Sequence, residues 1–151
     1  MNILLPLPNL KEAAEEFVRV DRRRANAQIK ECCQLLATYQ HKTMGYTTMV
    51  KKDGSLYGVS HPHHPITRNM LVSLSQLNLV GAYAYALAHY LPNHACSVTL
   101  EGLDIRGVPS QHGQLVLCRK DQPHILIDNI EEYSKLSREY MINTKDYHVR
   151  A

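Results

Sequence analysis

The chain has 151 residues, enough for one domain with a proper core, and its apolar and charged fractions of 44% and 21% exclude a disordered or fibrous protein. Its formal net charge of +3 is mildly basic, which is compatible with a nucleic-acid partner without requiring one. Cysteines 32, 33, 96 and 118 show no zinc-type spacing, and neighbours on a helix cannot bridge to each other. All four read as reduced thiols, which points to a cytoplasmic protein. No basic segment followed by a long apolar stretch opens the chain, so no signal peptide is expected. The longest apolar run, Leu79 to Ala88, is too short to span a bilayer.

In chain order, Met1 to Leu7 is apolar and punctuated by proline, an extended arm. Asn9 followed by Glu12 resembles a capping box, and Leu10 to Val20 has helical spacing. Arg22, Arg23 and Arg24 then concentrate positive charge at one point and open a helix over 22–38. At about 3.6 residues per turn, Arg24, Glu31 and Thr38 fall almost in line, with Gln28 and Gln34 beside them. Ile29, Cys32, Cys33 and Leu36 form the opposite, apolar face. A single carboxylate, Glu31, in a basic and amide-rich stripe fits either a catalytic acid beside a phosphate-binding surface or a solvated glutamate.

Thr47 to Val50 and Leu56 to Val59 flank Asp53-Gly54, the pattern of a small hairpin or loop. His61-Pro-His-His-Pro65 stops regular structure. His61, His63 and His64 lack any visible remainder of a metal set, so neither a metal nor another cofactor is expected. Thr67 to Tyr90 carries almost no charge and predicts one long buried helix, ended at Leu91-Pro92-Asn93. Val98 to Leu100, Leu115 to Leu117 and Ile125 to Ile127 read as short strands or extended loops. Asn129 with Glu132 starts a last amphipathic helix over Ile130 to Asn143, which carries Tyr133, Arg138 and Tyr140, with Lys145 just beyond. Tyrosine and arginine together suit a nucleic-acid surface, but Tyr133 and Tyr140 share a face and fit a packed pair equally well. The expected fold is mainly α, a single domain over 1–151 of about four helices with minor hairpin or extended segments. No Gly-x-Ser-x-Gly elbow, Walker loop or Rossmann glycine pattern occurs.

Several of these segments, in this order, resemble the phage pyrimidine-dimer DNA glycosylases of the endonuclease V type, which have AP-lyase activity. The family helix Ile-x-Glu-x-x-Gln-Leu-Leu-x-Thr is matched by Ile29 to Thr38. His-x-x-His-Pro before a long helix is matched by His61, His64 and Pro65, and Ser73, Ser75 and Ala86-Leu87 recur within that helix. The terminal Tyr-Arg-x-Tyr-Tyr-x-x-Lys pattern is approached by Arg138 and Tyr140, with Ser137 and Met141 in place of its first and last tyrosines and Lys145 one residue beyond its lysine. Residues 92–125 lie outside the resemblance.

The resemblance implies a base-excision enzyme acting on damaged or modified duplex DNA in the cytoplasm of a bacterial host, without a cofactor. By it, the α-amine of Met1 is the nucleophile and Glu31 the catalytic carboxylate. Arg22, Arg23, Arg24, Gln34, His61, His64, Arg68, Arg138, Tyr140 and Lys145 would contact DNA. Arg24 stands where the family has histidine, and Asn69 and Leu71 stand where it has an aromatic residue and an arginine. These differences keep open an alternative, a phage accessory protein of the same fold that binds DNA or a host protein without catalysis. A structural or small-molecule-binding protein is the remaining reading.

Overall fold

The computed structural model describes residues 1–149. It contains α1 (Leu10–Val20), α2 (Arg22–Met44), α3 (Pro65–Met70), α4 (Leu74–Tyr90), α5 (Ala95–Thr99), a 3-10 turn at Leu100–Gly102, strands β1 (Leu115–Leu117) and β2 (Ile125–Ile127), and α6 (Ile130–Lys145). The fold is mainly helical with one small antiparallel sheet, in which Leu115 pairs with Ile127 and Leu117 with Ile125. One apolar cluster joins α1, α2, α4, β1 and α6 around Phe17, Ile29, Leu36, Tyr83, Leu87 and Tyr133. None of the described helices is long and apolar enough to cross a membrane. All four cysteines are free thiols.

The helix starts follow their sequence signals. Asn9 and Asn129 accept from the Glu12 and Glu132 amides, as capping boxes require. Asp21 ends α1 and caps α2, accepting from the Arg24 amide, so a single residue turns the chain between two helices. The second helix runs well past Thr38 and stops at Gly45, whose φ of +83° is left-handed and strains any residue with a Cβ.

Three expectations change. The uninterrupted helix over Thr67 to Tyr90 is two helices, because Ser73 adopts an extended backbone and caps α4 by accepting from Gln76. Ser73 also serves the 111–114 loop, with its Oγ 2.7 Å from the Gln114 carbonyl. Gly113, at φ +69°, lies so close that an added Cβ would sit 2.5 Å from that of Ser73. The expected hairpin over residues 47–59 shrinks to one bridge, Val50 to Leu56, around the Asp53-Gly54 turn. Val98 to Leu100 is helical rather than extended: His94 accepts from the Cys96 amide through Nδ1 and starts α5.

The N-terminal arm is extended, but it threads the interior instead of lying on the surface. Asn2, Ile3 and Leu5 are buried, and they belong to no strand. A buried backbone must still find partners. Side chains supply them: Leu4 N–H donates to Gln28 Oε1 at 2.8 Å and Leu5 N–H to Ser137 Oγ at 2.8 Å. Tyr133 donates to the Ile3 carbonyl at 2.7 Å and Tyr83 to the Leu4 carbonyl at 2.8 Å. Arg138 holds the Pro6 carbonyl at 3.0 Å. Helices α2, α4 and α6 therefore clamp the arm from three sides, and Met1 emerges at a fixed point.

Candidate functional site

Met1 lies close enough to Glu31 for its amine charge to act on the carboxylate. The clamp on Ile3 to Pro6 sets the direction of the arm, and Asn2 fixes its end. The Asn2 side chain donates to the Cys118 carbonyl at 2.9 Å and accepts from the Cys118 amide at 2.7 Å. This two-bond ring continues the end of β1 with a side-chain amide in place of a backbone. Glu31 lies in the middle of α2. A cleft of about 190 Å³ opens there, lined by Leu4, Arg24, Ala27, Gln28, Glu31 and Lys145. At about 30 Å³ per water, it has room for roughly six waters, the scale of a sugar ring.

Burial raises the pKa of the Glu31 carboxyl; the Met1 amine, His61 and Lys145, in that order, pull it back down. The named charges around the carboxylate are thus all cationic, and the strongest is the N-terminal amine. Yet the amine and carboxylate do not form an ion pair: within 4.0 Å, the described residues pair only Arg24 with Asp21, Arg106 with Asp104, Arg138 with Glu16 and His148 with Asp146. An amine and a carboxylate held near each other but apart can both reach a group placed between them.

His64 borders the amine from α3. Its Nδ1 accepts from the Ile66 amide at 3.1 Å and caps the helix, while its ring stands edge-on to His61 at 6.2 Å between centroids. Burial, then the Met1 amine, His61 and His124, hold His64 down to about 4, so its ring stays neutral near physiological pH. The depressed value stabilises the fold above the ordinary histidine value of 6.5, and this stabilisation is lost as pH falls toward 4. His64→Asn keeps a good cap without a titrating ring. Its melting temperature is therefore expected to gain on the wild type between pH 6.5 and pH 4 and to track it above pH 7. A constant difference across that range would remove His64 from acid sensitivity.

The remaining site residues divide by environment. Arg22 and Arg23 are exposed at the start of α2 and Arg68 is exposed on α3, and none of them makes an ion pair among the described residues. Arg24 is half-buried and bound to Asp21 at 2.7 Å, with part of its guanidinium facing the cleft. Gln34 and Tyr140 are half-buried and do not line the cleft. Arg138 is engaged in the fold: one nitrogen bonds both Glu16, at 2.8 Å, and Pro6, and its guanidinium stacks over Tyr147. The stripe along α2 is also less exposed than its polarity suggests. Gln28 is buried under Leu4, and Thr38 is buried, exchanging hydrogen bonds with the backbone of Ser60.

Sequence reasoning missed Gln28, Asn2 and Ser137 as the residues that set the amine. Polar residues inside otherwise apolar stretches were the available signal. The differences from the resembled family have local causes as well. Ser137 is fully buried against the arm, where a tyrosine has no room, and Asn69 donates to Gln76 Oε1 and the Gln114 carbonyl. Among the described residues, no three His, Cys, Asp or Glu side chains converge as a metal site. A larger groove of about 650 Å³ between residues 48–52 and α5 holds none of the candidate site residues. No protein-family model, curated protein or solved structure matches the chain.

Proposed function

We propose that the protein is a base-excision enzyme of the pyrimidine-dimer glycosylase and AP-lyase kind, acting on damaged or modified bases in duplex DNA within a bacterial host cell. The observation that carries the reading is that the half-buried Glu31 carboxylate lines a small cleft with Arg24 and Lys145 and feels the charge of the Met1 amine without pairing to it. In its neutral form, the amine can attack the sugar C1′. A C–N bond forms, the bond from C1′ to the base breaks, and the base leaves with its electron pair and collects a proton. Opening of the sugar ring leaves a Schiff base between Met1 and C1′. The Glu31 carboxylate stabilises the cationic sugar, then takes a C2′ proton as the 3′ phosphate departs and the strand breaks. A damaged base is cheaper to unstack than a paired one, which favours lesions.

The testing experiment incubates the full chain with a duplex containing an abasic site and adds borohydride. A covalent adduct mapping to Met1 is expected, since borohydride reduces the Schiff base. Intact mass establishes in the same sample that Met1 carries a free amine. A chain that binds the duplex but yields no adduct would overturn the lyase and favour the second reading, a DNA-binding module of the same shape. The exposed Arg22, Arg23 and Arg68 favour that module, being free to meet phosphates whether or not chemistry follows.

A further inference from the structure

The turn between β1 and β2, residues 119–124, is tied to the end of the arm that carries the Met1 amine, although it falls in the part of the chain outside the family resemblance. Two geometric links make the tie. Asn2 is bonded at both ends to the Cys118 backbone, so the strand that leads into the turn is tied to the residue next to the amine. Ile125 pairs with Leu117, so His124 and Cys118 face each other across the open end of the ladder. The Met1 amine is also felt at the Cys118 thiol, and His124 is felt at His64.

The turn is braced. The Arg119 amide donates to His124 Nδ1 at 3.4 Å and Arg119 Nε to the Pro123 carbonyl at 2.9 Å, while Asp121 takes a left-handed φ of +57°. Every residue from Arg119 to His124 is exposed. Bracing through Nε leaves the outer guanidinium nitrogens of Arg119 without a partner among the described residues, and Lys120 makes no ion pair. Asp121 is the one acid on the turn. This short, exposed cationic turn is not needed to hold the core together: its buried neighbours Leu117 and Ile127 lie in the strands.

We infer that the 119–124 turn is a DNA-backbone clamp, in which Arg119 and Lys120 grip phosphates flanking the nucleotide held at Met1 and Glu31. The inference rests on the reading of the cleft as a DNA site. Phosphates suit this turn because the braced Arg119 presents a planar fork from a fixed position and Lys120 adds a point charge. Arg68 on α3 is exposed as well. A duplex backbone gripped by the turn would bring one sugar to the amine.

The test compares the full-length wild type with R119A/K120A and the charge-conserving R119K/K120R, measuring affinity for an abasic-site duplex over a salt series and borohydride trapping at saturating duplex. The alanine pair is expected to bind roughly tenfold or more weakly at low salt and to lose about two from the log–log salt slope, one per phosphate contact. Trapping at saturation should stay near wild type, because the amine is untouched. R119K/K120R should recover most of the salt slope. An alanine pair with wild-type affinity and slope would overturn the clamp, while wild-type trapping would leave the proposed chemistry standing. If the wild type traps nothing but binds, and the alanine pair binds weakly, the clamp stands and the chemistry fails. A wild type that binds no duplex overturns both.

Discussion

Glu31→Gln is expected to lower strand scission by on the order of 10²–10⁴-fold, the range for loss of a positioned acid–base group, while duplex binding and borohydride trapping persist. The separation is diagnostic. Attack on C1′ needs the neutral amine, whereas elimination needs a base placed to take the C2′ proton. Glutamine keeps the size and one acceptor oxygen of the side chain, so the cleft and the clamp on the arm should survive. The same substitution has an opposite effect on stability. Burial raises the Glu31 carboxyl above its ordinary 4.5, so the ionised form is the poorer fit to the fold. A carboxyl whose folded value is raised contributes fully below the unfolded value, and that contribution is lost as pH rises through the folded one. Glutamine has no proton to lose. The variant is therefore expected to melt higher than the wild type near neutral pH, with the advantage shrinking toward pH 4, as measured by melting curves across pH. Unchanged scission would remove Glu31 from the chemistry. A lower melting temperature at neutral pH would mean that its attraction to the surrounding cations outweighs its burial.

That tension between stability and charge explains what was legible in the residues and what was not. The 3.6-residue period located α1, α2 and α6 and put Glu31 opposite Ile29, Cys32 and Leu36, because amphipathic faces are written locally. The break at Ser73 was hidden. Its cause is the 111–114 loop, which bonds Ser73 and the amides of Leu74 and Ser75 from far along the chain. The arm's path was equally hidden. Gln28 reads as part of a polar stripe and Ser137 as a polar position on the last helix, yet both are buried and bond the backbone of residues 4 and 5. Such pairings span 24 and 132 positions, beyond any local pattern. The resemblance named Met1 and Glu31 as partners. The physical route that joins them, from the Asn2 ring on Cys118 to the Tyr83, Tyr133 and Gln28 clamp, exists only in the folded chain.

Blocking the α-amine is the more severe test of that route. Acetylating it is expected to abolish trapping and to cut scission by about 10³-fold or more, since the nucleophile itself is gone. Lys145 also lines the cleft and is the rival amine. Lys145→Ala should retain the adduct if the α-amine is the nucleophile and lose it if Lys145 is. Acetylation also removes the largest charge that opposes the burial of Glu31 and one of those that depress His64. Both groups should then titrate at higher pH, a shift that NMR of the glutamate carboxyl and the histidine ring would read. Loss of trapping with those shifts fits an amine that both attacks and tunes its neighbours. Loss of trapping without them would mean that the amine lies too far from Glu31 for the two to act on one sugar. Persistent trapping in the acetylated chain would transfer the nucleophile to a lysine and leave the threaded arm with a purely structural task.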